Sequence, residues 1–120
     1  MDVETFYQYC KQKPYAEECF PFDEQTLVFK VFGKMFVLID LSDEITVNLK
    51  CDVQRAIELR EKYADILPGY HLNKMHWNTV YIERNLTDVL LFELVDMSYD
   101  LVVATLPKQQ QQLCKNDLKF

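Results

Sequence analysis

The residues best suited to chemistry lie close together between Tyr70 and Asn78. This stretch contains both histidines of the chain together with amide, cationic and aromatic side chains: Tyr70, His71, Asn73, Lys74, His76, Trp77 and Asn78. A pair of histidines that binds one metal from a helix needs positions i and i+4 and a third ligand. His71 and His76 are five residues apart and have no third ligand nearby. We therefore predict no metal site and no cofactor.

A nucleophilic active site has little support in the sequence. Such a site needs a cysteine or serine beside a histidine and an orienting carboxylate, and the chain has no Gly-x-Ser-x-Gly motif. With only two glycines, Gly33 and Gly69, a glycine-rich loop that cradles phosphate is not expected. The four cysteines form no Cys-x-x-Cys pair and are predicted to be reduced thiols. We predict that the protein is not an enzyme.

The stretch from Thr26 to Lys50 predicts the sheet that would position these residues. It contains three runs rich in β-branched and aromatic residues, separated by a glycine-containing turn and a charged turn, which is the pattern of an antiparallel meander. The predicted strands are 26–31, 35–41, 45–50 and, later in the chain, 77–82. The third run alternates cleanly, so one face of the sheet is expected to be partly solvated.

Three helices are expected to pack on the other face of this sheet. Asp2, Asp52 and Thr87 are suitable N-cap residues, and each precedes apolar residues at helical spacing. The sequence therefore predicts an α+β fold over residues 1–107, an antiparallel sheet packed on one side by three helices. Residues 15–25 are expected to form a connecting loop whose Phe20 and Phe22 plug the edge of the core, and residues 108–120 a frayed polar tail.

The open face of the predicted sheet is the candidate binding surface. Its outward-facing residues would be Lys30, Asn48, Lys50, Trp77 and Tyr81, with Lys74 and His76 at its rim. Cations beside flat aromatic rings can hold a backbone phosphate and stack a base. Aromatic side chains of the same kind also anchor protein partners. The candidate functions are therefore nucleic-acid binding and, alternatively, binding of a protein or a small ligand.

Composition and charge narrow the choice of partners and compartment. The net charge of −6 argues against strong non-specific binding to a polyanion, although the acids are concentrated in residues 1–25 and the sheet region is neutral overall. No apolar run approaches the roughly 20 residues of a membrane-spanning helix. The acidic N-terminus lacks a secretory signal. We predict a cytoplasmic protein that does not use a membrane.

Several strings of the sequence, in this order and spacing, resemble the MmcQ/YjbR family. They are Thr26–Val31, Gly33–Phe36, Val47–Asp52, Pro68–Lys74, His76–Thr79 and Ser98–Val102. The resemblance implies a CyaY-like fold with a double-wing arrangement, for which the family has been described as DNA-binding. The positions that match the family's pattern are Lys30, Lys34, Asn48, Lys50, Tyr70, His71, Asn73, Lys74, His76, Trp77 and Asn78. The resemblance thus implies DNA as a partner of these residues.

Overall fold

Six strands and four helices form over residues 1–69 and 72–117, the part of the chain that the computed structural model describes. The strands are β1 (Ala16–Cys19), β2 (Thr26–Val31), β3 (Lys34–Asp40), β4 (Thr46–Lys50), β5 (Ile66–Pro68) and β6 (Trp77–Tyr81). The helices are α1 (Val3–Lys11), α2 (Val53–Lys62), α3 (Asp88–Val103) and α4 (Lys108–Asp117). The predicted α+β class is confirmed. None of these helices combines the length and apolar character that crossing a membrane requires.

All six strands join one antiparallel sheet in the order β1-β2-β3-β4-β6-β5. The predicted meander is therefore confirmed as β2, β3 and β4. The turn between β2 and β3 has positive φ angles at Phe32 (47°) and Gly33 (81°), as a type I′ hairpin turn requires. Its backbone twist matches that of the two strands it connects.

The core lies between one face of the sheet and the helices α1, α2 and α3. Phe6 of α1 and Leu91 of α3 are fully buried against this face. Phe36 of β3 lies 5.1 Å from the ring of Tyr99 in α3 and 6.2 Å from that of Phe29 in β2, measured between centroids. Burial of large apolar side chains contributes about 1.5–3 kcal/mol each, so this layer fixes which face of the sheet remains open.

The helices begin where the sequence predicts. Asp2, Asp52 and Thr87 each accept a hydrogen bond from the backbone N–H three residues further on. These bonds satisfy donors that have no partner within a helix. The three predicted N-caps are thus confirmed, and α3 ends at Val103.

The side chain of Ser98 in α3 joins β3 to β4 where the backbone pairing is interrupted. The register between β2 and β3 shifts after Phe29, and this shift leaves Phe36 as the unpaired residue of a β-bulge. The Ser98 hydroxyl donates to the Phe36 carbonyl at 2.6 Å and accepts from the Lys50 N–H at 2.8 Å. It therefore bridges β3 and β4 beyond their last backbone pair, Val37 with Leu49.

The prediction for residues 15–25 is wrong in two respects. Residues Ala16–Cys19 form β1, an edge strand paired with β2, because the backbone of β2 offers a partner even to a polar strand. Phe20 and Phe22 do not plug the core, since their side chains are 51% and 63% exposed.

The expectation of a frayed tail is wrong for residues 108–117, which form α4. Cys114 is buried, and the Gln111 side chain donates to the carbonyls of Leu106 and Ala104 at the end of α3. One buried side chain and two hydrogen bonds from Gln111 hold this largely polar helix in place. The division of the chain at residue 107 stays a prediction.

Candidate binding surface on the open sheet face

Strand register arranges the open face of the sheet in rows that run across the strands. The first, which we call the basic row, contains Lys30 of β2 opposite Met35 of β3, and Lys50 of β4 opposite Trp77 of β6. Both pairs lie beyond the Val37–Leu49 pair, at the same end of the sheet. The predicted grouping of Lys30 and Lys50 with Trp77 on one face therefore follows from the pairing of the strands.

The basic row carries one compensating acid. Glu17 of β1 pairs with Lys30, so the charge of this lysine is partly neutralised by its cross-strand neighbour. Lys50 has an aromatic neighbour instead, Trp77, and both side chains are half-buried. The Lys50–Trp77 pair is the part of the row best placed to combine a cation with a stacking surface.

The opposite end of the open face is acidic. Here Asp40 of β3 pairs with Thr26 and Thr46, and Thr46 pairs with Tyr81. The open face thus changes from basic to acidic along the direction of its strands. A polyanion would be attracted only to the first end.

The ring of Tyr81, a predicted partner-binding residue, is in contact with Arg84 of the same chain. The Arg84 guanidinium lies 3.7 Å from the centroid of its ring. Arg84 also makes two hydrogen bonds to Glu44, at 2.6 and 2.7 Å, and lies 3.6 Å from Asp65. The hydrogen bond from Arg84 holds the pKa of Glu44 below its usual value. This cluster ties neighbouring loops together, so one face of the Tyr81 ring is not available for stacking.

Two predicted site residues do not lie on the open face. Asn78 is 3% exposed on the helical side, where its amide nitrogen donates to the Ala56 carbonyl of α2 at 3.4 Å. It follows Trp77 in the strand, and successive residues point to opposite faces. Lys34 donates from Nζ to the carbonyl and hydroxyl of Thr105, where its charge complements the C-terminal end of α3. Neither side chain therefore faces the open side of the sheet, and their role in binding stays a prediction.

Backbone hydrogen bonds hold both ends of the segment that connects β5 to β6. The Gly69 N–H donates to the Trp77 carbonyl at 2.9 Å, and a Cβ at Gly69 would lie 2.9 Å from the Trp77 Cβ and oxygen. Only glycine permits this approach without displacement. The Cys51 N–H donates to the His76 carbonyl, which joins the segment to the end of β4.

Within this segment Asn73 organises a turn. Its side-chain oxygen accepts from the Met75 N–H, and its carbonyl accepts from the N–H groups of His76 and Trp77. Lys74 is exposed and His76 half-buried, and the Lys74 carbonyl accepts a hydrogen bond from Arg60 of α2 at 3.4 Å. The remaining predicted residues, Tyr70 and His71, lie outside the described residues.

A cavity of about 270 Å³ opens on the same face, beside Asn48. Its apolar lining comes from Phe22, Leu38 and Leu72, and its polar lining includes Asp23, Asp40 and Asn48. We call it the sheet pocket. Of these residues only Asn48 was predicted from the sequence. The others are brought together by the loop 20–25 and by the start of the segment 72–76, which cross the open face from opposite sides.

The thiols of Cys10 and Cys51 are poor nucleophiles at neutral pH. Burial raises the pKa of the Cys51 thiol to about 11, and burial also raises the pKa of Cys10. The Cys51 sulfur lies 3.3 Å from that of Met97. In the described part of the chain, no three acidic, histidine or cysteine side chains group as metal ligands.

Comparison with known proteins decides the family. The sequence model of the YjbR family matches residues 11–101. The chain belongs to the YjbR family. The resemblance seen in the sequence strings is thereby confirmed.

Full-length relatives and a solved structure agree with this assignment. The chain is 35% identical to the uncharacterised protein YjbR of Escherichia coli K12 and 37% identical to the uncharacterised protein YbdF of Escherichia coli O157:H7. The alignments cover 94% and 93% of this chain and 97% and 96% of the relatives. The crystal structure of Deinococcus radiodurans protein DR2400, with a DUF419 domain, superposes with a TM-score of 0.86 at 39% identity, covering 94% of this chain and 87% of that one. The fold is therefore shared with other YjbR-type domains.

Proposed function

We propose that this YjbR protein is a binding module, and that the basic row of its open sheet face contacts single-stranded DNA. The observation that carries the proposal is the register that aligns Lys30 and Lys50 with Trp77. In this arrangement Lys30, Lys50 and the exposed Lys74 contact phosphates, and Trp77 stacks on a base. The proposal is one of binding, without a catalytic step.

The distribution of charge sets the strength and path of this binding. The net charge of −6 opposes a polyanion, and Asp40 occupies the other end of the face. A bound strand therefore follows the basic row across the sheet. Three phosphate contacts correspond to a slope of about −2 in a plot of log K against log salt concentration for a single strand. Binding is expected to be weak and to decline steeply with salt.

Fluorescence anisotropy of a labelled thymidine oligonucleotide tests this proposal. We expect Lys50→Ala and Lys74→Ala each to reduce the salt slope by about 0.7, because each removes one phosphate contact. Lys108→Ala is the matched control, since Lys108 is an exposed lysine on α4 and its loss should leave the slope unchanged. An unchanged slope in both Lys50→Ala and Lys74→Ala would remove these lysines from the contact and overturn the proposal.

A protein partner is the second candidate, favoured by the exposed apolar side chains of this region. Phe20, Phe22 and Met75 are 51%, 63% and 59% exposed, and such side chains often mark interaction sites. In that case Trp77→Ala should abolish capture of the partner, while added salt should change capture little. Capture that survives Trp77→Ala would count against this candidate.

A further inference from the structure

We propose that the sheet pocket binds a small molecule that carries a protonated amine on a compact apolar body. The site lies on the open face, toward its acidic end, and shares no residue with the basic row. At about 270 Å³ its volume is close to the lower end of the range of ligand cavities, about 300–1,000 Å³. The proposal concerns a second ligand and does not depend on the binding of DNA.

The apolar lining of the pocket suits a ring or a short hydrocarbon chain. Leu38 forms part of its floor on β3, and Leu72 and Phe22 approach from opposite sides. Phe22 is 63% exposed, so its ring contributes little to the core. A ligand seated beside it would bury part of this ring, and burial of apolar surface favours binding.

Two carboxylates give the pocket its charge preference. Asp23 accepts through Oδ1 from the N–H groups of Gln25 and Thr26, and Asp40 accepts through Oδ1 from Ser42. In the described part of the chain, Oδ2 of neither aspartate has a hydrogen bond, and no basic side chain lines the pocket. Each aspartate is thus fixed by its turn through one oxygen and keeps the other for a cation. An ammonium group can donate to both.

Asn48 adds a donor on the floor of the pocket. Its side-chain oxygen accepts from the Thr79 hydroxyl at 2.8 Å, which fixes the orientation of the amide and leaves its nitrogen as the donor. Within the described residues this nitrogen has no acceptor. A ligand with an oxygen acceptor near its amine would satisfy it. Amines with a neighbouring hydroxyl or carbonyl group are therefore the preferred members of the class.

Amide chemical-shift titration with matched probes tests the proposal. The probes are 2-phenylethylamine, 2-phenylethanol and phenylacetate, which share an aromatic body but differ in charge. We expect saturable shifts at Leu38, Asn48 and Leu72 with the amine, at least tenfold weaker binding of the alcohol, and no binding of the acid. Equal responses to all three probes, or no response to the amine, would overturn the proposal. Shifts caused by calcium chloride but not by the amine would overturn it as well.

Substitutions then locate the site. Asp40→Asn keeps the Oδ1 acceptor that holds the turn but removes the charge, so amine binding should weaken at least tenfold. Asp43→Asn is the control, because Asp43 is exposed on the same turn and does not line the pocket. Phe22→Ala should weaken binding of the amine without unfolding the protein, as circular dichroism would verify. Equal affinities for the Asp40 and Asp43 variants would contradict the proposed role of Asp40.

The two proposals can fail separately. Lys50→Ala should leave the response to the amine unchanged, and Asp40→Asn should not weaken oligonucleotide binding. Loss of both activities in both variants, with the fold intact, would contradict the separation of the sheet pocket from the basic row.

Discussion

At the scale of single residues, a few polar side chains hold parts of the fold that the backbone alone leaves open. Ser98 bridges the bulge at Phe36, and Glu44 holds Arg84 over the ring of Tyr81. Neither pairing could be predicted from the sequence. Serine in an apolar helix face and a charged residue in a turn have many possible partners, and the partners here come from distant parts of the chain.

Ser98→Ala should destabilise the protein by about 2–4 kcal/mol. The substitution leaves the Phe36 carbonyl and the Lys50 N–H buried without their partner, and each such group costs about 1–3 kcal/mol. Urea denaturation followed by circular dichroism would measure the change. Ser42→Ala, on an exposed turn, is the control and should cost under about 0.5 kcal/mol. A loss at Ser98 as small as that of the control would contradict the bridging role.

Glu44→Gln should lower the thermal midpoint at neutral pH but not in acid. The folded-state pKa of Glu44 lies below its ordinary value of 4.5, so its contribution is present above that pH and is lost as the pH falls through the folded pKa. The difference between wild type and variant should therefore shrink as the pH is lowered from neutral through the folded-state pKa of Glu44. Glu83→Gln is the control, because Glu83 is a neighbouring exposed acid that is not among the ion-pair partners of Arg84, and it should change the midpoint little. A difference that persists in acid would exclude the ion pair as its cause.

At the scale of elements, the sequence predicts those strands and helices whose own residues favour that structure. The runs of β2, β3 and β4 are rich in β-branched and aromatic residues, and α3 has a clear apolar periodicity. By contrast, β1 reads Ala-Glu-Glu-Cys and α4 contains four consecutive glutamines. Their structure comes from pairing with β2 and packing on α3, which are tertiary interactions. Local propensity does not contain that information.

The two glycines are needed for different reasons: Gly33 has a positive φ angle, and Gly69 lies too close to Trp77 for a side chain to fit. Gly33 has a φ of +81° and open space within 4 Å of the point where a Cβ would lie, whereas a Cβ at Gly69 would meet Trp77 at 2.9 Å. Asparagine tolerates positive φ, so Gly33→Asn should cost well under about 1 kcal/mol, while Gly69→Asn should cost about 1–3 kcal/mol through overpacking. Chemical denaturation measures both. The reverse order would contradict the close approach of Gly69 to Trp77.

At the scale of the whole molecule, the helices cover one face of the sheet and leave the other to loops. Strand alternation was enough to predict which residues of β4 and β6 face outward, and it correctly groups Asn48 and Lys50 with Trp77. It could not predict the sheet pocket. That cavity depends on two loops meeting over β3, and loop paths are set by the assembled fold.

The two ends of the open face differ in charge, within a molecule that is acidic overall. Lys30 and Lys50 lie at one end and Asp40 at the other, although the chain as a whole carries a net charge of −6. Binding of an anion and binding of a cation are therefore expected at separate places on one surface. We propose that this open face, and not the helical side, is where the protein binds its partners.

The most direct test is an amide and indole chemical-shift map of the labelled protein with a short thymidine oligonucleotide at low salt, where electrostatic attraction is least screened. Trp77 is the sole tryptophan, so its indole signal reports on the basic row without ambiguity. We predict shifts at Trp77, Lys30 and Lys50 that fade as salt is added, while the helices α1 and α3 stay unaffected. Shifts confined to the helices, or none at low salt, would contradict the proposal for DNA.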